Sequence, residues 1–268
     1  MSEIPPSFTS PEPLTTSDDP SGLATPEQEV NLNLKGFRQV VMPYLTKISH
    51  GSTPFIATFL IIHLTAPALA NLGGSCLASQ VMLLGREYYQ TSFGEKYLLI
   101  APFAAHVVSG VLKRLTTPST LRRRISSILT LTGYSALLFF LPIHYLTHRV
   151  YPSDPSPPIY SVGPSELDFE FVKIGLQEWP LRSWLLYTGL VTCVAWHAAS
   201  GVHIIWTTWL RRWLGPGKSQ RSRLIQTTLA SLPVLSGLYL LSREPVLAFS
   251  SLASRFHAVF SKSFMYRI

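Results

Sequence analysis

Apolar residues gather into five long blocks, roughly Gly51–Leu72, Tyr97–Leu112, Ile125–Leu146, Trp184–Leu210 and Leu224–Leu241. None of them contains Asp, Glu, Lys or Arg. A helix needs about 20 residues to cross the hydrocarbon layer, and five such helices separated by charged loops could not share one water-soluble core. The pattern predicts an all-α fold, a five-helix integral membrane bundle over residues 35–244. Pro54, Pro67, Pro102, Pro142 and Pro233 lie in or near the spans. Neighbouring helices can satisfy the backbone groups that a proline frees, so these do not argue against the assignment.

The remaining segments read differently. Residues 1–34 hold six acids, six prolines and no Lys or Arg, a composition that predicts a disordered, solvated tail and neither a signal peptide nor a basic presequence. In residues 151–182, Ser165 followed by Asp168 predicts a helix start, with Leu167, Phe171 and Ile174 on one face. That suggests a short amphipathic helix at the membrane surface, leading through Trp179-Pro180 into the fourth span. In the C-terminal segment, 245–268, Phe249, Leu252, Phe256, Val259, Phe260 and Phe264 share one helical stripe opposite Ser251, Arg255 and Lys262. This predicts an interfacial amphipathic helix.

Composition sharpens the picture. The chain carries 36 charged residues, 22 basic and 14 acidic, where an average soluble domain of this length carries roughly 67. Lys113, Arg114, Arg122, Arg123 and Arg124 fall between the second and third spans, and Arg211, Arg212, Lys218, Arg221 and Arg223 between the fourth and fifth, with no acid in either loop. Basic short loops stay on the cytosolic side, so the N-terminus is expected there too. The net charge of +8 is thereby explained by topology. No basic face interleaved with aromatics accompanies it, and nucleic acid is not an expected partner.

Four histidines sit inside apolar spans: His63, His106, His144 and His197. Ionisable groups at this depth default to a functional reading. The second span reads His106-Val107-Val108-Ser109-Gly110-Val111 and the fourth His197-Ala198-Ala199-Ser200-Gly201-Val202, so the bundle looks like a duplicated two-helix hairpin with a fifth helix added. In His-x-x-x-Gly the two residues share a face, and the glycine leaves room for a flat porphyrin beside the backbone. Bis-histidine ligation of haem b is therefore one reading. The other is that Ser-Gly pairs allow close helix packing while the histidines bond to nearby carbonyls. Counted from the basic ends of the spans, His63 and His197 lie at similar depth, whereas His106 and His144 do not. There is no carboxylate pair in a span, no nucleophile elbow and no phosphate-binding glycine loop, and an enzyme is not expected.

Leu60-Ile61-Ile62-His63-Leu64, the block Leu167-Asp168-Phe169-Glu170-Phe171-Val172-Lys173 with Gly175-Leu176-Gln177-Glu178-Trp179-Pro180, and the segment His197 to Gly201 together resemble a fungal mitochondrial adapter family. Its members are multi-spanning outer-membrane proteins known as multicopy rescuers of a mitochondrial-morphology defect. The resemblance implies an adapter at mitochondrion–vacuole contacts that recruits a bridge-like lipid-transfer protein of the vacuolar-protein-sorting class, supporting lipid homeostasis. The partner would bind a Pro-x-Pro motif in the cytosolic tail, here Pro11-Glu12-Pro13, with Ile4 and Phe8 as apolar anchors. The hairpin repeat is also similar to the cytochrome b membrane anchors of succinate dehydrogenase and fumarate reductase. That similarity implies haem b with electron transfer or quinone binding, although no histidine follows His197 after seven residues as in their pattern.

Overall fold

The computed structural model describes residues 26–125, 127–215 and 220–267, with side chains described from Lys35 onward except at 214, 220 and 221. All regular structure among them is helical. The expectations for Ile4, Phe8, Pro11 and Pro13, and for most of the tail, lie outside the described residues. The chain divides into a unit ending at Pro43 and a second from Tyr44 onward; the packing described below belongs to the second.

Helix α1 is Pro26–Gly51 and α2 is Thr53–Tyr89. The next three are α3, Gly94–Thr116, α4, Ile128–Ser153, and, after the short α5, Phe169–Glu178, the long α6, Pro180–Trp213. Helices α7, Gln220–Arg243, α8, Ser250–Lys262, and α9, Phe264–Arg267, complete the chain. Among the described residues five segments are long and apolar enough to cross a membrane, as the blocks predict. Their bounds are wider, because π-type turns at Gly94–Ile100 and Leu146–Val150 extend α3 and α4 without breaking them.

The first span differs most from expectation. The helix starts at Pro26, before the predicted boundary at residue 35, and helical structure recurs beyond Leu72 up to Tyr89. Backbone angles leave the helical region only at Gly73 and Gly74, the latter at φ 60°, ψ −158°, a conformation essentially restricted to glycine. The chain reverses there, and Ser75 to Tyr89 returns along the first arm. A Cβ on Gly85 would stand 2.9 Å from Ile62, and the Tyr89 ring lies 5.1 Å from that of Phe59. The returning arm is capped by Glu244, whose two carboxylate oxygens accept from the Ser75 N–H at 3.1 and 3.2 Å.

Helix α7 packs on the first arm of α2 backbone to backbone. Any Cβ at Gly237 would run into the Pro67 carbonyl, and Asn71 donates to Pro233 O at 2.7 Å. Small residues and side-chain amides are what hold membrane helices together where apolar burial gives no preference over lipid.

At one end of the bundle, loop 154–168, α5, α8 and α9 form a cap. Asp168, rather than Ser165, is the N-cap of α5, accepting from the Glu170 N–H at 2.9 Å. The predicted surface amphipathic helix is corrected: α5 is buried on both faces. Phe171 and Ile174 join a core with Phe256, Val259, Phe260 and Tyr266, while Phe169, Val172 and Leu176 join another with Ala66, Ala70, Val234 and Leu241. The helix lies between the bundle and α8, so neither face is left for lipid. The stripe on α8 is corrected in the same way. Phe256, Val259 and Phe260 are fully buried in protein, and Phe260 stacks on Phe171 at 4.3 Å in space left by Gly175, whose Cβ would stand 2.5 Å from that ring. Only Phe249 and Phe264 of the stripe face outward. Arg255, expected to be solvated, donates to Glu166 at 2.7 Å and to Ile159 O at 2.8 Å.

Candidate functional site

The four histidines picked out in the spans meet in two pairs; His106 and His144, unmatched in depth, do not pair with each other, but the depth match between His63 and His197 fails. His63 from α2 lies 5.9 Å from His144 of α4, ring centre to ring centre, and His106 from α3 lies 6.2 Å from His197 of α6. His63 does not pair with His197. Each histidine of the first hairpin meets its counterpart in the second.

The first pair belongs to a packed aromatic cluster. Phe59 stacks on His63 at 5.2 Å, and the Tyr89 hydroxyl lies 3.5 Å from His63 Nδ1. His148, one turn after His144, stacks on it at 4.4 Å and contacts the Tyr187 hydroxyl through Nε2 at 3.1 Å. Phe171 of the cap closes on His148 edge-on at 5.2 Å. Beside them Ile143, Thr147, Leu186 and Tyr266 line a cavity of about 10 Å³, room for no more than one water. Arg86, also largely buried, anchors the returning arm by donating to Pro164 O. His148, Tyr89 and Tyr187 were not singled out in the sequence. The signal for His148 was its spacing of four from His144; the tyrosines had none, since they arrive from the returning arm and from α6.

The second pair is built differently. His106 Nδ1 stands 3.0 Å from Ser49 O, and His197 Nδ1 stands 3.3 Å from Leu129 O. A carbonyl oxygen only accepts, so both Nδ1 atoms are N–H donors, and neutral imidazole then carries its lone pair on Nε2. Gly133 of α4 gives His197 its place, because a Cβ there would stand 2.8 Å from Nδ1. Gly110 and Gly201, one turn beyond the two histidines, have nothing within 4 Å of an added Cβ. The rings are thus oriented by backbone on their far sides and have open space on the adjacent turn.

Just outside the spans, the cap has its own electrostatics. Arg255 beside Glu166 holds that carboxyl below its ordinary value, and burial raises those of Asp168 and Tyr266. Lys173 is fully buried and is held by Glu170 at 2.5 Å, Pro245 O at 2.7 Å, Ser75 Oγ at 3.4 Å and Glu244 at 3.6 Å. One cation therefore ties α5, the turn of α2 and the end of α7 together.

Comparison with known families decides which frame these features belong to. Residues 139–244 match the family model described as MDM10-complementing protein 1, transmembrane domain. The match bears out the resemblance to the fungal mitochondrial adapters over that segment. It runs from Phe139 in α4 through α7 and so contains His144, His148, Lys173, Tyr187, His197 and Gly237, while His63 and His106 come from outside it. No curated protein and no solved structure gives a match.

Proposed function

We propose that this chain is a multi-pass adapter of the mitochondrial outer membrane that recruits a bridge-like lipid-transfer protein of the vacuolar-protein-sorting class to mitochondrion–vacuole contacts, without catalysing a reaction itself. The observation that carries the reading is the match of residues 139–244 to a membrane domain named for complementing MDM10, which supports a mitochondrial membrane protein linked to MDM10 function. One feature is consistent with an anchor that displays a bait: the bundle from Tyr44 onward is closed at one end by its own cap. In this reading Pro11 and Pro13 set an extended backbone, and Ile4 and Phe8 fill apolar pockets on the partner; proline-fixed segments bind with little loss of entropy.

The test is recruitment in cells. Deleting residues 1–20, or combining Pro11→Ala with Pro13→Ala, is expected to release the partner from mitochondria while the protein stays in the membrane. A partner that remains on mitochondria with either variant refutes the assignment. Orientation is checked separately, since an N-terminal tag should be clipped by protease added to intact mitochondria.

A further inference from the structure

We propose that His106 and His197 are the two axial ligands of one haem b, seated between α3 and α6, and that His63 and His144 are not ligands. This goes beyond the adapter reading and stands or falls without it.

The argument starts from what a pair of imidazoles can hold. Among the described residues no group of three or more His, Cys, Asp or Glu is placed to bind a metal ion. A protein zinc site needs three or four protein ligands, so a metal held by these two histidines has to bring its remaining ligands with it. Iron in a porphyrin does so, arriving with four equatorial nitrogens and two open axial positions. The ring centres stand 6.2 Å apart with planes at 83°. Half of that separation, about 3.1 Å, matches a metal bonded to a ring nitrogen at about 2.0–2.1 Å. Both Nδ1 atoms are committed to backbone carbonyls, the arrangement that orients a ligating histidine and leaves Nε2 for the metal.

A planar macrocycle also needs space beside its ligands. His106 and His197 each carry glycine four residues on, on the same helical face; neither glycine has an atom within 4 Å of an added Cβ, and Gly110 lies at the exposed surface of α3, so the macrocycle would reach that surface. Ser200, adjacent to Gly201, has a buried hydroxyl oxygen with no hydrogen-bond partner. Lys113, three residues beyond Gly110 at the basic end, supplies a cation for the acidic edge of the macrocycle. The other pair has a similar ring separation, 5.9 Å at 83°, and an unpartnered buried hydroxyl of its own on Thr147, but it lacks the two glycines and the open space beside its rings. Position four after His63 is Pro67 and after His144 is His148. The rings are stacked under Phe59 and on His148, and the cavity beside them holds one water at most.

The full chain, purified in detergent from cells supplied with haem, is expected to show a Soret band and about one haem per chain by pyridine haemochrome. His106→Ala and His197→Ala should each lower haem content by about tenfold or more, while His63→Ala and His144→Ala leave it unchanged. Because a histidine variant could lose the band by misfolding, Gly201→Phe provides an independent arm: it points into open space and should keep the wild-type gel-filtration profile yet exclude haem. The proposal is overturned if the wild-type protein shows no Soret band and haemin titration gives no saturable shift. It is equally overturned if the band survives in both His106→Ala and His197→Ala, or in a well-folded Gly201→Phe.

Discussion

Lys173→Met tests whether the cap is held by one buried cation. The lysine side chain is 1% exposed and Glu170 beside it 13%, so both charges have left water. Methionine keeps most of the apolar stem and removes only the ammonium. Glu170 and Glu244 would then face each other with no cation between them. Breaking a buried pair by removing one partner costs about 3–5 kcal/mol. Here the two carboxylates keep backbone donors, Leu247 N–H for Glu170 at 2.6 Å and Ser75 N–H for Glu244. The lower end, about 3 kcal/mol, is therefore expected, which is roughly a hundredfold in the equilibrium between closed and open cap. Amide hydrogen exchange reads this directly, because local opening sets the rate in each cooperative unit. Exchange in α5 and α8 should rise by about two orders of magnitude, with the central turns of α4 and α6 little changed. Adding Glu170→Gln to Lys173→Met should recover a good part of the loss, since it removes the charge left behind. An increase of less than about threefold in the single variant, or a double variant whose loss is the sum of both singles, refutes the reasoning.

Three further outcomes follow from the packing. Gly237→Ala places a methyl against the Pro67 carbonyl and should cost about 3 kcal/mol of bundle stability, seen as a lower thermal midpoint in detergent. Gly74→Ala should cost about 1–3 kcal/mol, because its backbone angles suit only glycine and the new Cβ meets the Glu244 carboxylate; faster exchange confined to residues 75–89 would mark it. Glu166 is held below its ordinary value of 4.5 by Arg255, so its contribution to the cap is complete above pH 4.5 and is lost as pH falls through the lowered value. Glu166→Gln should therefore lower cap stability at neutral pH and lose its difference from wild type in acid, while Asp168, raised from 3.8 by burial, works in the opposite sense in both proteins. Trp179 fluorescence reports the cap, since its ring packs 5.4 Å from Phe260 and 5.5 Å from Tyr266.

The five spans were legible because bilayer crossing is enforced by charge exclusion, and the chain keeps every Asp, Glu, Lys and Arg out of the five blocks. The returning arm was not legible for the same reason. Ser75 to Tyr89 carries Gln80, Arg86 and Glu87, so it reads as loop, and only Gly73-Gly74 hints at a reversal. The stripe on α8 was read correctly as a buried face but assigned the wrong cover. Amphipathic spacing says that a face leaves water, not whether lipid or protein receives it. Gly175, where a Cβ would meet the Phe260 ring, was the residue that distinguished the two. The same limit applies to α5, where the face of Leu167, Phe171 and Ile174 was seen and the second buried face was not.

The pairing of the histidines shows why counting from span ends misleads. The count started the first helix at Gly51, but His106 bonds Ser49 and approaches the Ser52 hydroxyl at 3.4 Å, so the helix already runs inside the bundle at that level. His63 lies a further three turns along, at 1.5 Å per residue about 18 Å deeper than Gly51. That offset carries it past the level of His197 to His144. What remained readable is the duplication itself, since equivalent positions of the two hairpins meet. The two resulting pairs share their imidazoles and differ at position four. Gly110 and Gly201 leave that position empty in one pair, while Pro67 and His148 occupy it in the other. His148 does so by stacking on His144 at 4.4 Å, filling with an imidazole the place where the second pair keeps open space. One repeat has thus produced a closely packed histidine pair and one with open space on the adjacent turn, and the residue four positions on distinguishes them.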